Sequence, residues 1–329
     1  MNDRPTRRRM LHAILAGATA GTAVSFGAPL RAQAWPTRPV KLLVGFSAGG
    51  GADAIARTIA QRLGDALGQS VVVENRPGAT STIAAEVLAK SPPDGYALML
   101  ADSSLLIASR AMAKVNFDVL TSFAPIGSVA IAPLAIAVAA NSPLRSLEDM
   151  ATAAKRQDPK LIYATSGIGT VHHLAMESLL AQAKLEMTHL PYRGAAQILP
   201  DLIGGQVPIG VVSAGAAVGP VEAGKIRVLG LTTPAKLASA PWRPVADWLP
   251  GFDAAPRLFL IAPAGTPDAI LARLDEENRR AIADPAVAQT LQKQGAVPTP
   301  SSRAELATLL PAEVERWDAL IRRGNISIK

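Results

Sequence analysis

The chain has 329 residues, 49% hydrophobic and 18% charged, which supplies cores for two ordinary domains and leaves too little polarity for disorder. It contains no cysteine, which excludes disulfides, thiolate metal sites and cysteine nucleophiles together. The formal charge of +7 is concentrated at the N-terminus; beyond residue 34 there remain 28 basic and 25 acidic residues, a net +3, with no Lys/Arg block to track a phosphate backbone. Aromatics at 4% offer little stacking surface, so no nucleic-acid partner is expected.

Residues 1–34 read as an export signal. Thr6-Arg7-Arg8-Arg9-Met10-Leu11 is similar to the twin-arginine consensus, and Ala32-Gln33-Ala34 supplies a small-x-small cleavage site. The stretch between them is rich in Ala, Gly and Thr and weakly apolar for a membrane span. A signal of twin-arginine type cleaved after Ala34, and a periplasmic mature protein, are the expectation.

From Val40 the run VKLLVGF reads as a buried strand, followed by Ser47-Ala48-Gly49-Gly50-Gly51 and a helix beginning near Asp53. A second strand (70–75) ends in the turn Arg76-Pro77-Gly78, a helix covers about 79–90, and a third strand spans 96–101. Strands alternating with helices at this spacing require a parallel sheet with helical crossovers. Between Phe123 and Asn141 two apolar runs meet at Pro133, as a path between domains would. A second β/α series follows: 161–170 into a helix at 172–183, 187–194 into a helix at 195–204, then strands in 206–213 and 225–233. The run near 256–263 reads as a second crossing, and the tail is helical with apolar residues at i, i+3 and i+4. The expected architecture is α/β with two domains, each a mainly parallel sheet flanked by helices: residues 35–132 with 258–329, and 133–257. The C-terminal helices are expected to return to the first domain.

The loop after the first strand supports three chemistries. Gly45-Phe46-Ser47-Ala48-Gly49 fits the nucleophile elbow G-x-S-x-G, which makes Ser47 a candidate nucleophile of an exported hydrolase. Against this, only about a dozen residues separate residue 34 from Ser47, too few for the strands and oxyanion loop that such an elbow needs. Gly49-x-Gly51-x-x-Ala54, with Glu74 ending the next strand, fits a relaxed dinucleotide fingerprint. Little free dinucleotide exists outside the cytoplasm, and no cofactor is expected. The third chemistry is anion binding by backbone N–H groups at a helix start, where no intrahelical acceptor exists and the helix dipole is positive. Asp53, two residues into the helix, offers a cap from within as the alternative to touching ligand. The second half repeats the device at Thr165-Ser166-Gly167-Ile168-Gly169-Thr170, with His172 and His173 in the helix's first turn. Adjacent histidines on a helix point about 100° apart, so a metal site is not expected there.

Segments along nearly all of the chain beyond residue 34 carry a resemblance: VKLLVGFSAGGGAD (40–53) after Trp35-Pro36, GQSVVVENRPGA (68–79), SPPDGYAL (91–98), SGIGTVHHL (166–174), LPYRGAAQILPDLIGGQV (190–207), AGKIRVLGLTT (223–233), LPGF (249–252) and APAGTP (262–267). The series resembles the Bug-type substrate-binding receptors of tripartite tricarboxylate transporters. The resemblance implies a two-domain, type II-like periplasmic-binding-protein fold that closes on a small organic acid, hands it to membrane permease subunits and catalyses nothing. It assigns a ligand carboxylate to backbone amides and bridging waters at Phe46, Ser47, Ala48, Gly49 and Gly50 on one side. On the other it assigns Thr165, Ser166, Gly169, Thr170 and His173, with Asp102-Ser103-Ser104 and Tyr192-Arg193-Gly194 as cleft walls. A receptor that feeds a signalling sensor is the other non-enzymatic alternative. Nothing in the residues demands more than a monomer.

Departures from the family pattern bear on specificity. Ser47-Ala48 stands where the family often has two prolines. The segment Gly205 to Ser213 lacks the two acids and the aromatic usual there, which leaves Ser213 as its polar candidate for ligand contact. Arg257 replaces part of an aromatic-rich run, and in the cleft it would form a bidentate pair with a second carboxylate.

Overall fold

Strand β1 (Val40–Val44) buries Val40, Leu42, Leu43 and Val44 completely, because helices cover both faces of its sheet. The computed structural model of the chain describes residues 35–111, 115–192, 197–237 and 240–324. The expected signal and cleavage site, and Arg193 and Gly194, lie outside the described residues.

After β1 come α1 (Gly51–Leu67), β2 (Val71–Asn75), α2 (Thr82–Ala89), β3 (Ala97–Asp102), α3 (Ser103–Ala111) and β4 (Phe123–Ile131). The chain then builds β5 (Leu134–Ala139), α4 (Leu147–Arg156), β6 (Ile162–Thr165), α5 (Val171–Ala183), β7 (Thr188–Pro191), α6 (Ile198–Ile203), β8 (Ile209–Ser213), α7 (Ala214–Glu222) and β9 (Ile226–Leu231). It ends with β10 (Arg257–Pro263), α8 (Asp268–Ala283), α9 (Pro285–Lys293), β11 (Val297–Pro298) and α10 (Arg303–Gly324). Two sheets result, in the orders β11-β4-β10-β3-β1-β2 and β7-β6-β8-β5-β9, and we call these with their helices lobe 1 and lobe 2.

Each sheet is parallel where β/α units wind it, as in β2-β1-β3 and β7-β6-β8. The strands that enter from the other lobe, β10 in lobe 1 and β5 in lobe 2, pair antiparallel with their neighbours. They arrive directly from the opposite sheet without a helical crossover to reverse them. Only Ala132 and Pro133 separate β4 in one sheet from β5 in the other. The return path runs beside them: Ala132 N donates to Pro256 O at 2.9 Å, and Ala254 N donates to Thr232 O at 2.8 Å.

The helix α3 is absent from the sequence reading. Its residues SSLLIASRA carry no clear polar face, and Leu105 to Ala108 are all buried. The last helix also differs from expectation. Leu306, Leu310 and Val314 pack in the core of lobe 1, whereas Trp317, 1% exposed, belongs to the cluster containing Leu147, Leu174 and Leu179 of lobe 2. Thus α10 lies along both lobes. Among the described residues no helix is long and apolar enough to cross a membrane.

Candidate functional site

A cavity of ≈ 100 Å³ lies between the lobes. Lobe 1 contributes Phe46, Ser47, Gly50, Gly51, Ala52, Ile55, Asp102, Leu258, Gln294 and Gly295; lobe 2 contributes Leu134, Ser166, His172, Ser213 and Gly215. Ala132, Pro133 and Pro256 of the crossing segments close it at the back. Its walls are mainly apolar, and among the described residues that line it there is no Lys or Arg.

The loop after β1 is held from behind by Asp53. This carboxylate, 3% exposed, accepts from Gly49 N, Arg57 Nε and Asn75 Nδ2, each at 2.9 Å, and Asn75 Nδ2 also donates to Phe46 O at 3.0 Å. Burial opposes ionisation, but the bonds from Arg57, Gly49 and Asn75 outweigh it and hold the Asp53 pKa below the usual value. Gly45 must lack a side chain, since a Cβ there would sit 2.3 Å from Ser81 Cβ in the turn that follows Pro77-Gly78. The GFSAGGGAD and ENRPGA segments therefore build one structure.

This arrangement changes which amides are available. Gly49 N is taken by Asp53, and Gly50 N donates to Ser47 O at 3.4 Å. The first intrahelical bond of α1 is Ala54 N to Gly50 O, and the N-cap Gly50 provides no side chain, so the N–H groups of Gly51 and Ala52 have no intrahelical acceptor. Both residues line the cavity.

On lobe 2 part of the expected anion loop is engaged by its own caps. Thr170 Oγ1 accepts from His173 N at 3.4 Å, Gly169 N donates to His173 Nδ1 at 3.2 Å, and Val171 N donates to Ser104 Oγ of lobe 1 at 3.2 Å. A helix start on this side that borders the cavity without a side-chain cap is α7, whose N-cap Ser213 makes no such bond, while Ala214 N donates to Pro133 O at 2.9 Å. Ser213 Oγ lies close to α1, 3.1 Å from where a Cβ on Gly51 would be. Two uncapped helix N-termini, one from each lobe, thus converge on the cavity.

Of the residues singled out from sequence, Phe46, Ser47, Gly50, Asp102, Ser166 and Ser213 line the cavity. Ala48 and Gly49 are exposed on the loop. Ser103 and Ser104 are buried and used structurally: Ser103 Oγ accepts from Arg257 N at 3.0 Å, and Ser104 Oγ caps α5. Thr165 Oγ1 shares a 2.6 Å hydrogen bond with His189 Nε2, and the Tyr192 hydroxyl donates to Asp201 at 2.5 Å. His173 is buried and stacked on His189 with ring centroids 4.0 Å apart, a support for the loop and not one of the cavity's lining residues. The Arg257 guanidinium is bonded to Glu313 at 3.0 Å, and Arg257 is likewise not among those residues. Gly51, Ala52, Ile55, Gly215, Gln294 and Gly295 line the cavity unforeseen, and His172 takes the place expected of His173.

The titratable groups here are governed by burial. It pushes His172 down to about 4 and His189 to about 4; for His173 burial and then the charge of His189 give about 3, so all three are neutral at pH 7. Burial pushes Asp102 up to about 7 against the opposing hydrogen bonds from Ser104 and Leu105. Ser47 is exposed, and among the described residues no histidine is hydrogen-bonded to its hydroxyl. Among the described residues no three His, Asp or Glu side chains converge as a metal would need.

The family model described as tripartite tricarboxylate transporter family receptor (TctC) matches residues 55–326. A UPF0065 protein from the tcbD-tcbE intergenic region of Pseudomonas sp. strain P51 is 33% identical over 311 residues, covering 94% of this chain and 93% of the relative. Among solved structures, R. palustris Rpa4515 with adipate superposes with a TM-score of 0.84 at 32% identity, covering 89% of this chain and 99% of the other. MatC (Rpa3494) from Rhodopseudomonas palustris with bound malate gives a TM-score of 0.80 at 28% identity, covering 87% and 100%.

Proposed function

Because the chain belongs to the tripartite tricarboxylate transporter receptor family, we propose that it captures a small organic carboxylate in the cavity between its lobes and releases it, chemically unchanged, to membrane permease subunits. As a member of that family it is a periplasmic solute-binding receptor. The observation that carries the ligand assignment is the convergence of the uncapped α1 and α7 N-termini on one cavity, since backbone N–H groups and two helix dipoles accept a carboxylate without a countercharge. Adipate and malate in the two R. palustris relatives support the same chemistry. Residues 1–34 serve as a twin-arginine signal cleaved after Ala34, a reading that rests on Arg7-Arg8 and Ala32-Gln33-Ala34.

A thermal-shift screen of carboxylates, amino acids and aromatic acids tests the proposal. A true ligand at a hundred times its Kd stabilises by about 2.7 kcal/mol, which raises Tm by several degrees. A screen in which every carboxylate leaves Tm unchanged contradicts the proposal.

A further inference from the structure

We infer that the ligand is a compact monocarboxylic acid whose body carries a hydrogen-bond donor, a hydroxyl or amide N–H, that is received by Gln294. This inference rests on the carboxylate-receptor reading above and deepens it.

Gln294 lines the cavity, and its orientation is fixed from behind. Its Nε2 donates to Thr58 Oγ1 at 2.9 Å and to Ala54 O at 3.5 Å, which only an amide nitrogen can do. The Oε1 atom is therefore the other end of a settled amide, and it is buried without a partner. His172 Nε2, on the opposite lobe and at the same cavity, is buried and unpartnered as well. Buried polar atoms left unsatisfied are costly, and a ligand that supplies the missing donor gains where one lacking it does not.

A second carboxylate would meet no cationic side chain. Among the described lining residues no cation is present, because Arg257 is committed to Glu313. Asp102 adds a carboxyl of its own, with bonds from Ser104 N at 3.0 Å and Ser104 Oγ at 3.3 Å and no basic partner. An unpaired second carboxylate would be desolvated beside it. Size points the same way: ≈ 100 Å³ is smaller than the roughly 150 Å³ cavity that accommodates benzene in an engineered protein.

Calorimetric titration of the purified protein with butyrate, with 2-, 3- and 4-hydroxybutyrate, and with malate and adipate tests this. At least one hydroxybutyrate should bind about tenfold more tightly than butyrate, the gain expected for one hydrogen bond to a buried orphan acceptor, and more tightly than either diacid. In Gln294→Met that preference over butyrate should fall to within about twofold while butyrate still binds. Tightest binding by malate or adipate overturns the inference and leaves the receptor function standing, as does equal binding of butyrate and all three hydroxybutyrates. A preference that survives in Gln294→Met overturns the assignment to Gln294. Absence of binding by all six acids defeats the carboxylate reading itself.

Discussion

Gly215 and Gly295 meet across the lobe boundary with no room for a side chain on either: a Cβ on Gly295 would lie 2.2 Å from Gly215 N, and one on Gly215 would lie 1.8 Å from Gln294 O. The contact joins the first turn of α7 in lobe 2 to the residues following α9 in lobe 1, at the edge of the cavity. Gly215→Ala should hold the lobes apart by about the size of a methyl group. Ligand affinity is expected to fall at least tenfold with little change in the unliganded Tm, measured by calorimetry and by the radius of gyration in solution scattering. Unaltered affinity would show that closure does not need this contact.

Asp53 determines whether the β1 loop is preformed. Asp53→Ala removes the acceptor for Gly49 N, Arg57 Nε and Asn75 Nδ2 at once, and should cost about 1–3 kcal/mol of stability. It should also weaken ligand binding about tenfold or more through loss of order in the loop, whereas Asp53→Asn, which keeps an acceptor, should do less of both. Chemical denaturation and titration of the two variants check the ranking.

Glu313 is 4% exposed and bonded to two arginines, Arg257 at 3.0 Å and Arg316 at 2.9 Å, and Arg316 Nη1 in turn donates to Asp253 O in the return path between lobes. Glu313→Gln leaves both guanidinium groups facing a neutral amide and should lower stability by about 1–3 kcal/mol, discounted for the partial exposure of the arginines. Since Arg257 is engaged here, Arg257→Ala should change monoacid and diacid affinities by the same factor. A selective loss of diacid binding would place the guanidinium in the cavity.

Acid should destabilise the protein through its histidines. Burial holds His172, His173 and His189 down to about 4, 3 and 4 in the folded protein, against 6.5 for an unperturbed side chain. The unfolded chain therefore binds more protons between those values, and the stability present above pH 6.5 is lost as pH falls from 6.5 towards 3. Asp102, at about 7 folded against 3.8, works in the opposite sense: its contribution is present below pH 3.8 and is lost as pH rises through 7. Relative to the wild type, Asp102→Asn should gain stability on going from pH 4 to pH 8, as read from denaturation midpoints across that range. A pH-independent difference would mean that Asp102 ionises normally.

The β/α alternation, the two crossings and the β1 loop were legible in the sequence because each is written in a contiguous stretch: a buried run, a glycine turn, a helical period. What was not legible depends on residues distant in the chain. Gln294 reaches the cavity only because α9 packs beside α1, so that Thr58 and Ala54 orient it. Arg257 offers a free guanidinium until Glu313, 56 residues away, is brought against it. The helix α7, AGAAVGPVE, contains Pro220 and two glycines and has no capping side chain, so nothing local marks its N-terminus as the proposed anion site. By contrast, the SGIGT loop has every local mark of such a site, yet Gly169 N is taken by His173, and Val171 N at the start of α5 by Ser104.

Amide chemical shifts during titration with the tightest-binding carboxylate test the account most directly. The largest changes are predicted at Gly51, Ala52 and Gly215, the N–H groups at the uncapped starts of α1 and α7. Changes concentrated at residues 166–170, with Gly51 and Gly215 unmoved, would contradict it.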